Sequence, residues 1–347
     1  MEKFAETIET VRKKMGSRLA ILGHHYQADA VMAHTDIRGD SLELSRHISG
    51  LDAEHIVFCG VYFMAESAAI LRREDQKIHI PDPTATCPMA DMAEAGRVRQ
   101  TLDILQADGR KIIPLTYVNS SAAVKGVVGE YDGSVCTSAN AETMLSWAMK
   151  QGDAVLFLPD KHLATNTANT LNIPKDKRII LPAGVIDGDP KLFINPDNVK
   201  DKEFIIWPGY CPIHEEFQLE TVETIRAEEP DAKIVVHPEC DSSVVDASDG
   251  HGSTTFLIKY AKEAPAGSTV YIGTEENLVK RLAAQYAGEK TIRPLNVSLC
   301  EDMGKTTEEN LAALLENIDK ATPIDVPDDI KAPARLSLER MLEVCSR

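Results

Sequence analysis

Leu19-Ala20-Ile21-Leu22-Gly23, running into His24-His25-Tyr26, decides the fold because the chain returns to it twice. Ile112-Ile113-Pro114-Leu115-Thr116 runs into Tyr117-Val118-Asn119, and Lys233-Ile234-Val235-Val236 runs into His237-Pro238-Glu239. Each is a short leucine-rich or β-branched run bounded by polar residues, the pattern of a buried parallel strand. A small hydroxyl residue then opens a helical pattern: Ser41, Ser138 and Ser253, the last followed by Thr254. A second apolar run follows in each stretch, at His55–Cys59, Ala154–Leu158 and Ser268–Gly273. The stretches close on Ile78 to Cys87, Phe204 to Cys211 and Ile292 to Cys300.

Spacing supports this register. His24 to Cys87 and His237 to Cys300 are both 63 residues, while Tyr117 to Cys211 is 94. The excess falls after Asn172, in a Pro/Asp/Lys-rich stretch that reads as a surface insertion away from the cysteines. Repeats of this length are too long for solenoid units and read as small strand–helix units. The expected fold is α/β, with three pseudo-repeated α/β/α subdomains and short parallel sheets around a pseudo-threefold axis. The subdomains are expected at 1–88, joined by the C-terminal segment 301–347, then at 89–212 and 213–300.

Composition narrows the functions. A chain of 347 residues with 43% hydrophobic content can bury a substantial core. No apolar run reaches the ~18 residues of a membrane span. The first dozen residues read as a charged amphipathic helix without a signal peptide's apolar centre. Seven dispersed cysteines fit a reducing cytoplasm better than a disulfide scaffold. A net charge of −17 argues against nucleic acid or an anionic membrane as partner. Anionic substrates would need local help from helix starts, histidines or a metal.

Thiolates commonly hold structural zinc or iron–sulfur clusters. Zinc ribbons and bacterial ferredoxins space their cysteines as C-x-x-C, and this chain has no such pair. Cys87, Cys211 and Cys300 stand alone at repeat-equivalent, turn-rich positions, which points to one cluster at the common axis. Three thiolates on a [4Fe–4S] cube leave one iron without a protein ligand, and such an iron is a Lewis acid. Cys59 reads as core, Cys345 as a free thiol near the terminus, and Cys136 and Cys240 break the repeat.

Ligands of α/β units bind beyond the carboxyl ends of parallel strands. Three such ends here carry His24, Tyr26, Tyr117, Asn119, His237 and Glu239, which would ring one cavity. Ser41, Ser138, Ser253 and Thr254 would stand at helix starts, where backbone N–H groups favour carboxylate or phosphate. His214, three residues after Cys211, would project from a first helical turn into the same space. Glu239 and Tyr26 can supply acid–base chemistry. His34, His47, His55, His79, His162 and His251 read as structural groups.

Tyr117-Val-Asn-Ser-Ser-Ala-Ala-Val-Lys125, Cys136-Thr-Ser-Ala-Asn-Ala141, Gly209-Tyr-Cys-Pro-Ile-His-Glu215, His237-Pro-Glu-Cys240 and Gly252-Ser-Thr-Thr255, in that order, closely resemble the quinolinate synthase family. Gly60-Val-Tyr-Phe-Met-Ala-Glu66, Pro81-Asp-Pro-Thr-Ala-Thr-Cys87 and Gly273-Thr-Glu-Glu276 look like further signatures of that family. The resemblance implies a [4Fe–4S] cluster on Cys87, Cys211 and Cys300. It implies condensation of iminoaspartate with dihydroxyacetone phosphate to quinolinate, phosphate and two waters, and an L-aspartate oxidase as transient partner. It carries over Tyr26, Glu239 and His214 as catalytic groups. His24, Ser41, Tyr117, Asn119, Ser138, His237, Ser253 and Thr254 carry over as substrate-binding groups. Departures are His25, where the family usually has Asn, a third cysteine without close neighbours, and a longer insertion in the middle repeat.

Three other readings compete. A diphthamide-type radical enzyme shares the three-part architecture but needs S-adenosylmethionine and a protein substrate. An iron–sulfur sensor would need a DNA-binding or partner surface, and no basic helix provides one. A zinc enzyme would lack the brown, air-sensitive colour of iron–sulfur.

Overall fold

The computed structural model describes residues 2–346. Among them, three all-parallel sheets carry the fold. The first contains β1 (Leu19–His24), β2 (Ile37–Gly39), β3 (His55–Cys59) and β4 (Lys77–His79), in the order β2-β1-β3-β4. The second contains β5 (Ile112–Tyr117), β6 (Ser134–Cys136), β7 (Ala154–Leu158), β8 (Arg178–Ile180) and β9 (Phe204–Ile206), in the order β6-β5-β7-β9-β8. The third contains β10 (Lys233–Val236), β11 (Gly250–His251), β12 (Thr269–Gly273) and β13 (Thr291–Pro294), in the order β11-β10-β12-β13. Without β8 the order is the same in all three sheets, so the sequence repeat is a repeat of topology. The fold is α/β with three pseudo-repeated α/β/α units.

β2, β6 and β11 were not foreseen; each is an edge strand of two or three residues, too short to show a period. β8 comes from the insertion after Asn172 and extends the second sheet beyond β9. The insertion is anchored by buried Leu181, Val185, Ile194 and Val199, while Leu192 is 79% exposed. None of its residues lines the central cavity described below.

The main strands are buried on both faces, and their alternation divides the layers. In β1, Ala20 and Leu22 face the core shared with the second sheet. Leu19 and Ile21 face the opposite layer, where Ile8 of the N-terminal helix Glu2–Met15 meets Leu311 of the helix Glu308–Glu316. β3 repeats this, with Ile56 and Phe58 on one side and Val57 and Cys59 on the other. Cys59, Cys136 and Cys240 are fully buried core residues. No helix among the described residues is long and apolar enough to cross a membrane.

The C-terminal helix Asp328–Val344 lies along the helix Ala122–Glu130 and against β6. The approach is close enough that glycine decides it. A Cβ on Gly129 would sit 1.9 Å from the Pro333 carbonyl oxygen, whereas one on Gly126 would rest 3.4 Å from Ile330 O. Backbone cannot rotate away as a side chain can. Gly129→Ala is therefore expected to destabilise by roughly 1–3 kcal/mol despite alanine's better helix propensity. Gly126→Ala should be neutral or stabilising by up to about 1 kcal/mol. Equal urea midpoints for the two variants would contradict this packing.

Candidate active site

The carboxyl ends of β1, β5 and β10 open onto one cavity of about 700 Å³, mouth included. Its walls include His24, Tyr26, Ser41, Cys87, Tyr117, Asn119, Ser138, Cys211, His214, His237, Glu239, Thr254 and Cys300. Residues as far apart in sequence as His24 and Met303 thus share one cavity, as the repeat leads one to expect. Ser253 does not line the cavity. Its hydroxyl instead accepts the Phe256 N–H at 3.4 Å, capping the helix Thr254–Glu263. Ser41 is the first residue of its helix, with Asp40 accepting the Glu43 N–H at 3.0 Å. Ser138 stands in the loop before the helix Ala141–Ala148, where Asn140 holds the cap position.

The repeat extends to atomic detail. His24 Nδ1 accepts the N–H of Tyr26 at 3.2 Å, and His237 Nδ1 accepts the N–H of Glu239 at 3.4 Å. An imidazole that accepts at Nδ1 carries its proton on Nε2. Burial pushes both rings down to about 3, so they stand neutral in the cavity as N–H donors. The His24–Tyr26 turn is held by the third unit: Asn277 donates to Tyr26 O at 3.2 Å and Arg281 to His25 O at 2.8 Å. In the middle unit Tyr117 takes the place of histidine. The turn after it is fixed by Lys125, fully buried, whose ammonium donates to Val118 O at 2.8 Å and also to Ser120 O.

Glu239 is 3% exposed and meets His214, whose Nδ1 lies 2.8 Å from Oε2, while the Tyr117 hydroxyl donates to the carboxylate. Burial opposes its ionisation. The His237 and His214 imidazoles and the Tyr117 hydroxyl outweigh burial and hold the carboxyl below its ordinary value. The His214 and His237 rings stack with centroids 4.7 Å apart. On its far side His214 Nε2 lies 3.3 Å from Thr274 Oγ1, and Thr274 Oγ1 lies 2.7 Å from the Tyr26 hydroxyl. Tyr26 also accepts a hydrogen bond from Thr254 at 3.3 Å. Burial, chiefly, pushes the Tyr26 and Tyr117 phenols well above their usual range.

The three cysteines share a local geometry. Each is the residue before a four-residue helix: Pro88–Asp91, Pro212–Glu215 and Glu301–Gly304. Backbone N–H groups of the first turn face each sulfur, from Ala90 and Met89 at Cys87, His214 at Cys211, and Met303 and Asp302 at Cys300. Those amides favour a thiolate, but burial dominates, raising Cys87 to about 12 and Cys300 to about 11 and Cys211 well above its usual value. A bound cation would reverse the balance, since a coordinating thiol is deprotonated outright. Cys211, His214 and Glu239 also form a compact group, with one donor atom of each within 4.8 Å of the others.

Several site groups were not singled out individually in the sequence. Thr274 is fully buried between Tyr26 and His214; the Gly273-Thr-Glu-Glu276 run was quoted as a family signature, but nothing in it assigned Thr274 a role in the site. Asp160 and Glu275, both fully buried, follow the corresponding strands β7 and β12 and cap the next helices. The Cys211 N–H faces Asp160 and the Cys300 N–H faces Glu275. Burial raises both carboxyls, Glu275 to about 7 and Asp160 far above its ordinary value.

The family model described as "Quinolinate synthetase A protein" matches residues 6–343. The chain is 43% identical over 354 residues to the quinolinate synthase of Herpetosiphon aurantiacus, covering 99% of this chain and 93% of that one. It is 43% identical over 342 residues to the quinolinate synthase of Streptomyces coelicolor, covering 95% and 86%. With the quinolinate synthase of Lysinibacillus sphaericus the identity is 42% over 342 residues, covering 96% and 92%.

Proposed function

Since the chain belongs to the quinolinate synthetase A protein family, we propose that it is a quinolinate synthase condensing iminoaspartate with dihydroxyacetone phosphate, with release of phosphate and two waters. The observation that carries the reading is the single cavity in which one cysteine from each repeat meets the Glu239–His214 pair and Tyr26. The residues fit a [4Fe–4S] cluster. Cys87, Cys211 and Cys300 line one wall space, each sulfur faces backbone N–H groups, and among the described residues no fourth cysteine lines the cavity. Bound there, such a cluster supplies a Lewis acid at its iron without a cysteine.

The cavity must hold anions in a chain of net charge −17, and among the described residues neither lysine nor arginine lines it. Neutral donors do this work. His24 and His237 present Nε2–H, and Ser41, Ser138 and Asn119 present hydroxyl or amide protons. The start of the ten-residue helix Thr254–Glu263 adds free backbone N–H groups and the positive end of its dipole. Glu239, ionised, takes a proton from carbon beside a carbonyl or imine, and Tyr26, held protonated, returns one to oxygen. An L-aspartate oxidase as transient partner supplying iminoaspartate belongs to the same proposal, as do the subdomain limits 1–88, 89–212 and 213–300.

A second reading has one observation in its favour: the Cys211–His214–Glu239 group could hold a single zinc ion. It leaves Cys87 and Cys300 without a role, and it takes His214 and Glu239 from partners they already have. One experiment decides between them. Anaerobic reconstitution with iron and sulfide should give a brown protein with four irons per chain that forms quinolinate; one zinc per chain and a colourless active protein would replace the first reading by the second.

A further inference from the structure

Resting on that reading, we propose that Asn166, a side chain of the second unit, is the residue that positions Glu239 of the third. The Asn166 amide Nδ2 donates to Pro238 O at 2.8 Å and to Cys240 O at 2.9 Å, so one group grips the backbone on both sides of Glu239. Asn166 is 2% exposed and Glu239 3%, which leaves bulk water little access to either. Among the described residues none donates to Asn166 Oδ1, so the amide is committed to this one contact.

The same grip recurs in all three units with different chemistry. Counted from the aligned residues His24, Tyr117 and His237, the carbonyls taken are always the first and the third that follow. Asn166 takes those of Pro238 and Cys240, Lys125 those of Val118 and Ser120, and Arg281 those of His25 and Gln27. The residue left between the gripped carbonyls is Glu239, Asn119 or Tyr26, and each of these lines the cavity. A turn residue held on one side can still swing about the other. Held on both, it points its side chain in one direction.

Asn166 and Arg281 also share a place in the fold. Each is the sixth residue of its helix, Lys161–Thr170 after β7 and Glu276–Gln285 after β12. In the first unit the sixth residue of the helix Tyr62–Leu71 is Ser67, whose short side chain donates to Phe63 O within that helix at 2.8 Å. The middle turn takes its donor from Lys125, in the helix that follows it. The first unit contributes Glu66 instead, which accepts the Ala122 N–H at the start of the Lys125 helix at 3.0 Å. The contacts run in a ring: first unit to second, second to third, third to first. Asn166 does not line the cavity and acts only through Glu239, so it is a positioning residue.

The test removes the grip and leaves the base in place. Asn166→Leu keeps the approximate size of the side chain and removes both donors. With cluster-loaded protein kcat should fall about tenfold to a hundredfold, a ~1 Å misplacement of a reacting group costing about 10²-fold. KM for each substrate should stay within about threefold, with iron content unchanged. In a Glu239→Gln background Asn166→Leu should change kcat by less than about threefold, because the group it positions has already lost its function. Wild-type kcat in Asn166→Leu, iron lost together with activity, or the same fold-loss in both backgrounds would overturn the assignment. Should Asn166→Leu fail to fold, Asn166→Asp takes its place, since an ionised carboxylate of the same shape cannot donate. Reduced kcat with KM and iron retained then supports the assignment, and wild-type kcat refutes it. Wild-type protein that forms no quinolinate sinks the parent reading instead, which separates the two failures.

Discussion

Cys211→Ala is expected to give a folded, colourless protein that retains no stoichiometric iron and forms quinolinate at less than roughly one-hundredth of the wild-type rate. Changes to groups that only touch a metal ligand already cost ~10–100-fold, and Cys211 is one of three proposed ligands. The fold should survive, because the side chain is small and only partly exposed to begin with, so its removal costs about 1 kcal/mol of apolar burial. The same outcome is expected at Cys87 and Cys300, which carry the same local geometry. Cys136→Ala and Cys240→Ala are the contrast, since both thiols lie in the hydrophobic core. Iron counts, sulfide counts and a quinolinate assay on the five variants read the result. Full iron in Cys211→Ala, or iron loss in Cys240→Ala, would put the ligands elsewhere.

The second large effect is expected at Glu239. Glu239→Gln keeps the volume but removes the charge, and an amide accepts on only one of its two arms where the carboxylate accepts on both. The cluster should load normally. Turnover should fall by about 10²–10⁴, the range of a lost general base, and an unprocessed condensation product should accumulate and be visible on acid quench. Glu239→Asp, with the carboxylate drawn back by one methylene, should recover part of the rate. A Gln variant turning over within a few-fold of wild type would take the base away from Glu239. Cluster loss in that variant would instead make Glu239 a ligand, as the compact Cys211–His214–Glu239 group allows.

The fold was legible where strands were long enough to alternate. β1, β3, β5, β7, β10 and β12 are runs of four to six residues of which at least three are buried, and such runs announce themselves. β2, β6 and β11 do not, because two or three residues at a sheet edge hold no period. The cavity was legible because the repeat placed His24, Tyr117 and His237 at one register and Tyr26, Asn119 and Glu239 at the next. Its second layer was not. Lys125 sits in a helix, where a lysine normally reads as a solvated face, yet it is fully buried and donates to two backbone carbonyls. Thr274 gains its meaning only from Tyr26, 248 residues away. Asp160 and Glu275 look like ordinary helix caps until the backbone of Cys211 and Cys300 is seen facing them. Ser253 stands at the helix start that the sequence reading gave it, its hydroxyl serving locally as the cap.

The helix Asp328–Val344 covers the helix Ala122–Glu130, which precedes it by about two hundred residues. On the ribosome that covering segment emerges long after the helix it covers. The middle of the protein must therefore wait, one flank bare, until residues 328–344 have been made, although its own strands were made long before. Nascent chains stalled before residue 328 should stay protease-sensitive around 122–130, and the packing of the middle unit becomes a late event of synthesis rather than an early one.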